Sequence, residues 1–396
     1  MTLTDIAYDP YDYAIDADPH PVWKRMRDEQ PVYYNAQYDF YALSRFEDVR
    51  NASLDWQTFS SAKGSVLEII RSPESLELSR NILFMDPPEH DQQRALIGRR
   101  FTPRQVARME DDIRALCAGF LDRFVGSAGF DYVQDFGALV PMMVICSFMG
   151  VPAEDHNAVR RISDAIVHRD EGQQDVPHHL HLLQNRYFDG LLAIREFEPR
   201  DDFMSDLITA EITLEDGSTR PLDQGERLRM LGLTAGGGNE TVARALSWAG
   251  ALLAEHPDQR QMLVDDPALI PQAIEEIVRY EAPSPVQARS VTREVVIHGV
   301  TIPEGAVVIL LTNSANRDER EFPDADRFDI LRRVDQHLGF GFGTHFCVGA
   351  SLARLELRVA LEETLKRFPT WDVDWPNVER THTSTVRGYH RLPIRV

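Results

Sequence analysis

The segment Phe340-Gly-Phe-Gly-Thr-His-Phe-Cys347-Val-Gly349-Ala runs directly into an amphipathic stretch, Ser351-Leu-Ala-Arg-Leu-Glu-Leu-Arg-Val-Ala360, and constrains this chain more than any other. A glycine-rich loop here hands one cysteine to the start of a helix. The N-terminus of a helix carries partial positive charge and favours thiolate over thiol. A single thiolate offered in this way suits one open coordination position of iron, whereas tetrahedral zinc needs three further ligands nearby. Gly341 and Gly343 let the backbone adopt conformations closed to larger residues and pass close to a flat ligand. Gly349 keeps space beyond the cysteine, and Phe340 and Phe346 are positioned to shield the sulfur. A buried structural cysteine beside an ordinary turn is the plainer account of one Gly-x-Gly. The full spacing, Phe-x-x-Gly-x-His-x-Cys-x-Gly, is far more specific and favours iron ligation.

The segment resembles the haem-binding signature of the cytochrome P450 family, the haem-thiolate monooxygenases, and the likeness continues along most of the chain. The resemblance implies a mainly α fold with a minor β region, with haem b (iron protoporphyrin IX) lying between a long distal helix and the proximal cysteine loop and its helix. Cys347 is then the axial iron ligand, and residues 1–396 form one domain.

A chain of 396 residues, 43% hydrophobic, has enough material for a large core. The formal charge of −21 disfavours non-specific nucleic-acid binding. Cys117, Cys146 and Cys347 are far apart and odd in number, which argues against a disulfide framework and for a reducing compartment. The first ten residues lack the basic and apolar regions of a secretory signal, and no run of about 18 apolar residues suggests a membrane span. These features predict a soluble, cytoplasmic protein, and within the resembled family they imply the soluble bacterial type.

Along the chain, Pro21–Glu29 reads as a short helix after an irregular start. Pro31–Tyr34 and Asp39–Ser44 read as paired strands. From Pro103 to about Arg200 the pattern is mostly helical, broken at Gly126–Gly129 and around Asp170–Pro177. Leu228–Ala254 is one long helix, and Pro271–Tyr280 another, ended by Pro283 and Pro285. Val295–Ile302 alternates like one strand, Ala306–Leu311 like a second, and Val386–Val396 like a terminal strand pair.

The long helix opens on Asp223-Gln-Gly-Glu226, a capping-box pattern. It then meets Gly236-Gly237-Gly238, where each mid-helix glycine costs about 1 kcal/mol relative to alanine. Close approach of a planar ligand, or local unwinding that opens a groove, would explain that cost. Glu240-Thr241 follows, an acid beside an alcohol. In the resembled family this pair relays protons to dioxygen. The plainer expectation for Thr241 is a bond back to a carbonyl one turn earlier. The family's usual alanine in this groove is replaced by Gly237, which loosens the space above the iron.

Haem carboxylates shielded from water need cationic or hydrogen-bonding partners. His90 and Arg94 lie four apart on one helix face, Arg289 follows the Pro-rich break, and His345 lies two residues before the cysteine. All four match propionate-binding positions of the resembled family. The family pattern Glu-x-x-Arg selects Glu276 and Arg279, joined by Arg327, as a structural anchor for the haem loop. The resemblance also puts substrate opposite Cys347, between Gly64–Asn81, about Ile162–Leu191, Leu233–Thr241 and Pro285–Gln287. Val66, Leu67, Leu233, Gly237, Val286 and Gln287 are the candidate contacts, and they predict a hydrophobic small molecule bearing an oxygen function. His178-His-Leu-His181 could bind a metal, but Pro177 just before it supports polar residues at a helix start.

The resemblance implies insertion of one oxygen atom from O2 into a hydrophobic small molecule. Electrons would come from NAD(P)H through a ferredoxin and its reductase. Arg99, Arg100, Arg104 and Arg354 could form a basic docking patch, or be scattered solvated charges. A haem-thiolate peroxygenase using H2O2 and a non-catalytic haem sensor are the alternatives.

Overall fold

Asp223 starts the longest helix as anticipated: its carboxylate accepts from the backbone N–H of Glu226, and the Glu226 side chain accepts from that of Asp223. The helix then runs unbroken from Gln224 to Glu255. The local unwinding considered at Gly236–Gly238 is absent, and packing accounts for at least one of these glycines. A Cβ at Gly238 would lie 2.6 Å from Ile145 Cγ1, so the helix backbone rests directly on its neighbour.

The computed structural model describes residues 6–168, 177–214, 216–383 and 385–396. Its framework consists of α1 (His20–Glu29), α2 (Leu67–Ile70), α3 (Glu89–Gly98), α4 (Leu139–Met149), α5 (His156–Val167), α6 (His178–Phe197), α7 (Gln224–Glu255), α8 (Ile270–Tyr280) and α9 (Ala350–Arg367). The strands β1 (Val32–Asn35), β2 (Phe40–Leu43), β3 (Phe59–Ser60), β4 (Gln287–Val291) and β5 (Val307–Leu310) form one sheet in the order β1-β2-β5-β4-β3. β2 and β5 are parallel and the other neighbours antiparallel. Val308 lies opposite Arg289 in this register. The largest core cluster gathers Ile145, Leu246, Trp248, Leu357 and Leu361 from α4, α7 and α9. No helix among the described residues is long and apolar enough to cross a membrane.

Two strand expectations are corrected. Val295–Ile302 is a hairpin of Val295–Ile297 and Val300–Ile302, not one strand. His298 and Gly299 both take positive φ, the geometry of a tight two-residue hairpin turn. The tail strands Gly388–Arg391 and Pro393–Arg395 do not pair with each other. Only Leu392 separates them, too little for a reversal, and each finds an upstream partner instead. The break anticipated at 170–177 lies, apart from Pro177, outside the described residues.

Glu276 and Arg279 of α8 form a fully buried pair, with 2.6 Å between Nε and Oε2. Its third member is Arg332, whose Nε lies 3.3 Å from Glu276 Oε1. Arg327, the expected partner, is instead exposed and pairs with Asp329 at 2.5 Å. The backbone N–H of Asp329 itself donates to Glu276 Oε1, which carries the following turn and Arg332 over the carboxylate. Replacing Glu276 with Gln leaves Arg279 buried without its counter-charge and is expected to cost roughly 3–5 kcal/mol. A denaturant titration should show that loss, while Arg327→Ala leaves the midpoint unchanged.

Candidate active site

The floor of the site is the loop before α9. Gly341 and Gly343 take φ of +71° and +67°, a region that side chains with a Cβ avoid. A Cβ at Gly343 would also strike Ser53 O at 2.7 Å. The loop closes when Cys347 N donates to Phe340 O at 2.8 Å. Cys347 then faces a large cavity below α7. Cys347 is exposed at the cavity surface, while the packing around it pushes its thiol up and the Gly349 N–H, Arg94 and Arg354 oppose that. The charge of a bound metal deprotonates such a ligand. Phe346 is 39% exposed, so it is an incomplete shield. Phe340 is half-buried, with the Arg354 guanidinium 4.3 Å from its ring centre. A Cβ at Gly349 would reach to 3.9 Å from Cys347 Sγ.

One rim of this cavity gathers basic groups that exceed the anions beside them: His90 Nδ1 meets Asp91 at 2.8 Å, whereas its Nε2 stays free among the described residues. His90 and His345 are brought together, ring centres 4.6 Å apart, and Nε2 of each is buried with no hydrogen-bond partner. Burial, then Arg289, His90 and Arg94, push His345 down to about 2. Burial also lowers His90, and pushes Arg289 down to about 10. Arg289 gives one N–H to Ala288 O, and Arg94 donates to Phe346 O at 2.6 Å. Buried donors of this kind fit the carboxylates of a flat dianionic group.

α7 supplies the roof. Gly236 has nothing within 4 Å of an added Cβ, and Gly237 only Leu233 Cδ1 at 4.0 Å, so both open onto free space. Gly238 differs: it borders the cavity, but its missing side chain is the one that makes room for Ile145. Thr241 also borders the cavity, and its hydroxyl donates back to Gly237 O at 2.9 Å, the plainer of its two anticipated roles. Glu240 is buried and accepts from Arg244 Nη2 at 3.1 Å. Its Oε1 has no donor, and Asp164 of α5 is its other neighbour. Burial and the Glu240 carboxylate push Asp164 up to about 8. Burial raises Glu240 too, but Asp164 and Arg244 more than offset it and its net shift is downward. Two carboxyls this close in a buried site resist carrying two negative charges, although Arg160 lies 3.6 Å from Asp164.

Above the roof glycines a second cavity adjoins, lined by Val66, Leu67, Leu233, Gly237, Val286 and Gln287. Part of the anticipated wall from Ile162 to Leu191 lies outside the described residues. Sequence reasoning missed Glu68, Tyr11 and Asp164. The signal for Glu68 was a single acid inside the apolar run Val66-Leu-Glu-Ile-Ile70. It also missed Glu356, whose buried carboxyl is pushed well up beside the large cavity. The basic patch is only half present: Arg100 is taken by Asp201 and Asp206 and Arg354 by Glu275, while Arg99 and Arg104 remain exposed. His178 opens α6 and bonds Ser75 Oγ at 2.6 Å, and no metal-holding cluster occurs among the described residues.

A lone thiol on the floor, a rim rich in basic donors and a roof opened by glycines define the site of a haem-thiolate protein. Comparison with known proteins agrees. The cytochrome P450 family model matches residues 178–384. Cytochrome P450 130 of Mycobacterium tuberculosis is 38% identical over 395 residues, covering 96% of this chain and 95% of its own. CYP109E1 from Bacillus megaterium, solved in complex with testosterone, superposes with TM-score 0.87 at 27% identity, covering 96% of this chain and 98% of its own. A mutant of P450 EryK in complex with erythromycin B gives TM-score 0.85 at 31% identity, covering 97% of each chain. The chain belongs to the cytochrome P450 family, whose members bind haem b.

The raised Asp164 carboxyl sets a pH dependence. Asp164 titrates higher in the folded chain than the ordinary value of about 3.9, so the fold binds the extra proton. Its contribution is complete below about pH 4 and is lost as pH rises through about 8. Urea midpoints at pH 5 and pH 8 should fall for the wild type, and fall less for Asp164→Asn.

Proposed function

We propose that this chain is a haem-thiolate monooxygenase that places one oxygen atom from O2 into a hydrophobic small molecule, by hydroxylation or epoxidation. The observation that carries this reading is the opposition of Cys347 and Thr241 across one cavity rimmed by His90, Arg289 and His345. When bound, a thiolate-ligated haem supplies dioxygen activation and the oxidising chemistry. His90, Arg94, Arg289 and His345 would hold its propionates, and Phe340, Gly349, Gly237 and Gly238 would border its ring.

The chain's own work is orientation and proton delivery. The apolar walls exclude water from the reacting face. To act there, the Thr241 hydroxyl turns from Gly237 O toward the cavity, a rotation about one side-chain bond. The raised Asp164 carboxyl would lend a proton to Glu240, whose Oε1 has no donor among the described residues, and Glu240 precedes Thr241 on the same helix. The carboxyl pair is thus a store one residue from the hydroxyl that would use it. Residues 1–396 act as one unit in this reading, since the cavity walls run from Val49 to Leu357.

Electrons would arrive from NAD(P)H through a ferredoxin and its reductase. Arg99, in the surface groove beside Cys347 and Phe346, is the exposed cation nearest that route. The erythromycin B and testosterone held by the two relatives support a bulky hydrophobic substrate.

Reduced protein under carbon monoxide should give the Soret band of a thiolate-ligated haem. An imidazole-type band, or purified protein without porphyrin, overturns the reading. With a ferredoxin system, Thr241→Ala should keep consuming NAD(P)H while product per NAD(P)H falls by about tenfold or more. Product formed with H2O2 alone, and none with ferredoxin, would assign the peroxygenase reaction instead. Absence of turnover with either would favour a sensor.

A further inference from the structure

The cavity beside the roof glycines mixes apolar walls with a few polar groups, Gln287, Thr241 and Glu240 among them. Glu68, on α2, is 4% exposed, and among the described residues neither of its carboxylate oxygens has a hydrogen-bond partner in bonding geometry. The Tyr11 hydroxyl borders the same cavity, is likewise buried and is likewise without a partner. The lining contains no Lys, Arg or His among the described residues. Its second acid, Glu240, has Arg244, whereas no cation among the described residues hydrogen-bonds Glu68. Arg71, one turn on, is exposed to solvent.

A carboxylate withdrawn from water and left unpaired is among the costliest groups a protein can bury. Burial and then Glu68, by its charge and as acceptor for the phenol, hold Tyr11 above its ordinary range while the Arg71 charge opposes them, so the Tyr11 hydroxyl and Glu68 lie close together. If that hydroxyl turns to one carboxylate oxygen, the other still faces the cavity.

Resting on the monooxygenase reading above, we propose that Glu68 is the specificity residue of the substrate cavity and that the substrate is a hydrophobic amine, bound as its cation with the charged nitrogen at Glu68. The apolar body then lies along Val66, Leu67, Leu233 and Val286 toward Gly237. Anionic compounds such as free fatty acids are disfavoured, because Glu68 would meet a second carboxylate in a dry site. The net charge of −21 draws cations toward the entrance but does not choose where they bind.

The test is a Soret titration of the haem-loaded protein with dodecyltrimethylammonium, dodecanol and dodecanoate, each below its micelle concentration. The quaternary nitrogen cannot ligate iron, so a shift reports occupancy of the cavity. Wild type should bind the cation at least about tenfold more tightly than the alcohol, with the carboxylate weakest. Glu68→Gln should bind cation and alcohol about equally while its overall charge hardly changes. The proposal is overturned if alcohol or carboxylate matches the cation in the wild type, an outcome that needs no variant. It is also overturned if the cation preference survives in Glu68→Gln. A normal thiolate carbon monoxide band in the same preparation keeps either failure separate from failure of the haem reading.

Discussion

The position of one sulfur atom depends on a buried ion pair on another helix. Arg279, fixed by Glu276, donates to Asn316 O at 2.7 Å, and Asn316 Oδ1 receives the backbone N–H of Leu338 at 2.7 Å. Gly341 N then donates to Leu338 O, and Cys347 N to Phe340 O. A second line runs from Glu275, which binds both Arg354 of α9 and His337, while His337 Nδ1 accepts from Gly339 N. α8 therefore holds both ends of the cysteine loop. A single buried pair is weak evidence for stability on its own. Here its use is geometric: it converts a flexible glycine-rich segment into one that presents a thiol at a defined height.

The two faces of the cavity meet opposite electrostatic demands. The rim near the loop accumulates buried donors: burial depresses both His345 and Arg289, and neighbouring cations add to it at His345. The face beyond α7 carries Glu68 and the Asp164–Glu240 pair. An acidic chain thus keeps a small positive pocket for carboxylates and reserves negative charge for the distal side.

Features legible in the sequence were those specified within a few neighbouring residues. The capping box at Asp223 and Glu226, the left-handed glycines at 341 and 343 and the β1–β2 pairing are all local. What the sequence hid was set by distant chain. Arg332 rather than Arg327 reaches Glu276 because a backbone hydrogen bond steers the turn between them. Gly238 is small because Ile145 lies against it, and nothing in its own neighbourhood predicts that. The tail strands were visible as strands, but their partners were not. Glu68 was overlooked because its neighbours are apolar, and only burial reveals an acid without a partner.

Three consecutive glycines on α7 end up on two different errands. Gly238 is locked by its neighbour helix, whereas the positions just before it face emptiness. Bulk added there would subtract from the chamber without prising any helices apart, and alanine suits a helix better than glycine does. Room over the reaction centre and soundness of the scaffold are therefore separable properties in this molecule. Chemistry can be retuned by single methyl groups at a spot the rest of the architecture scarcely feels.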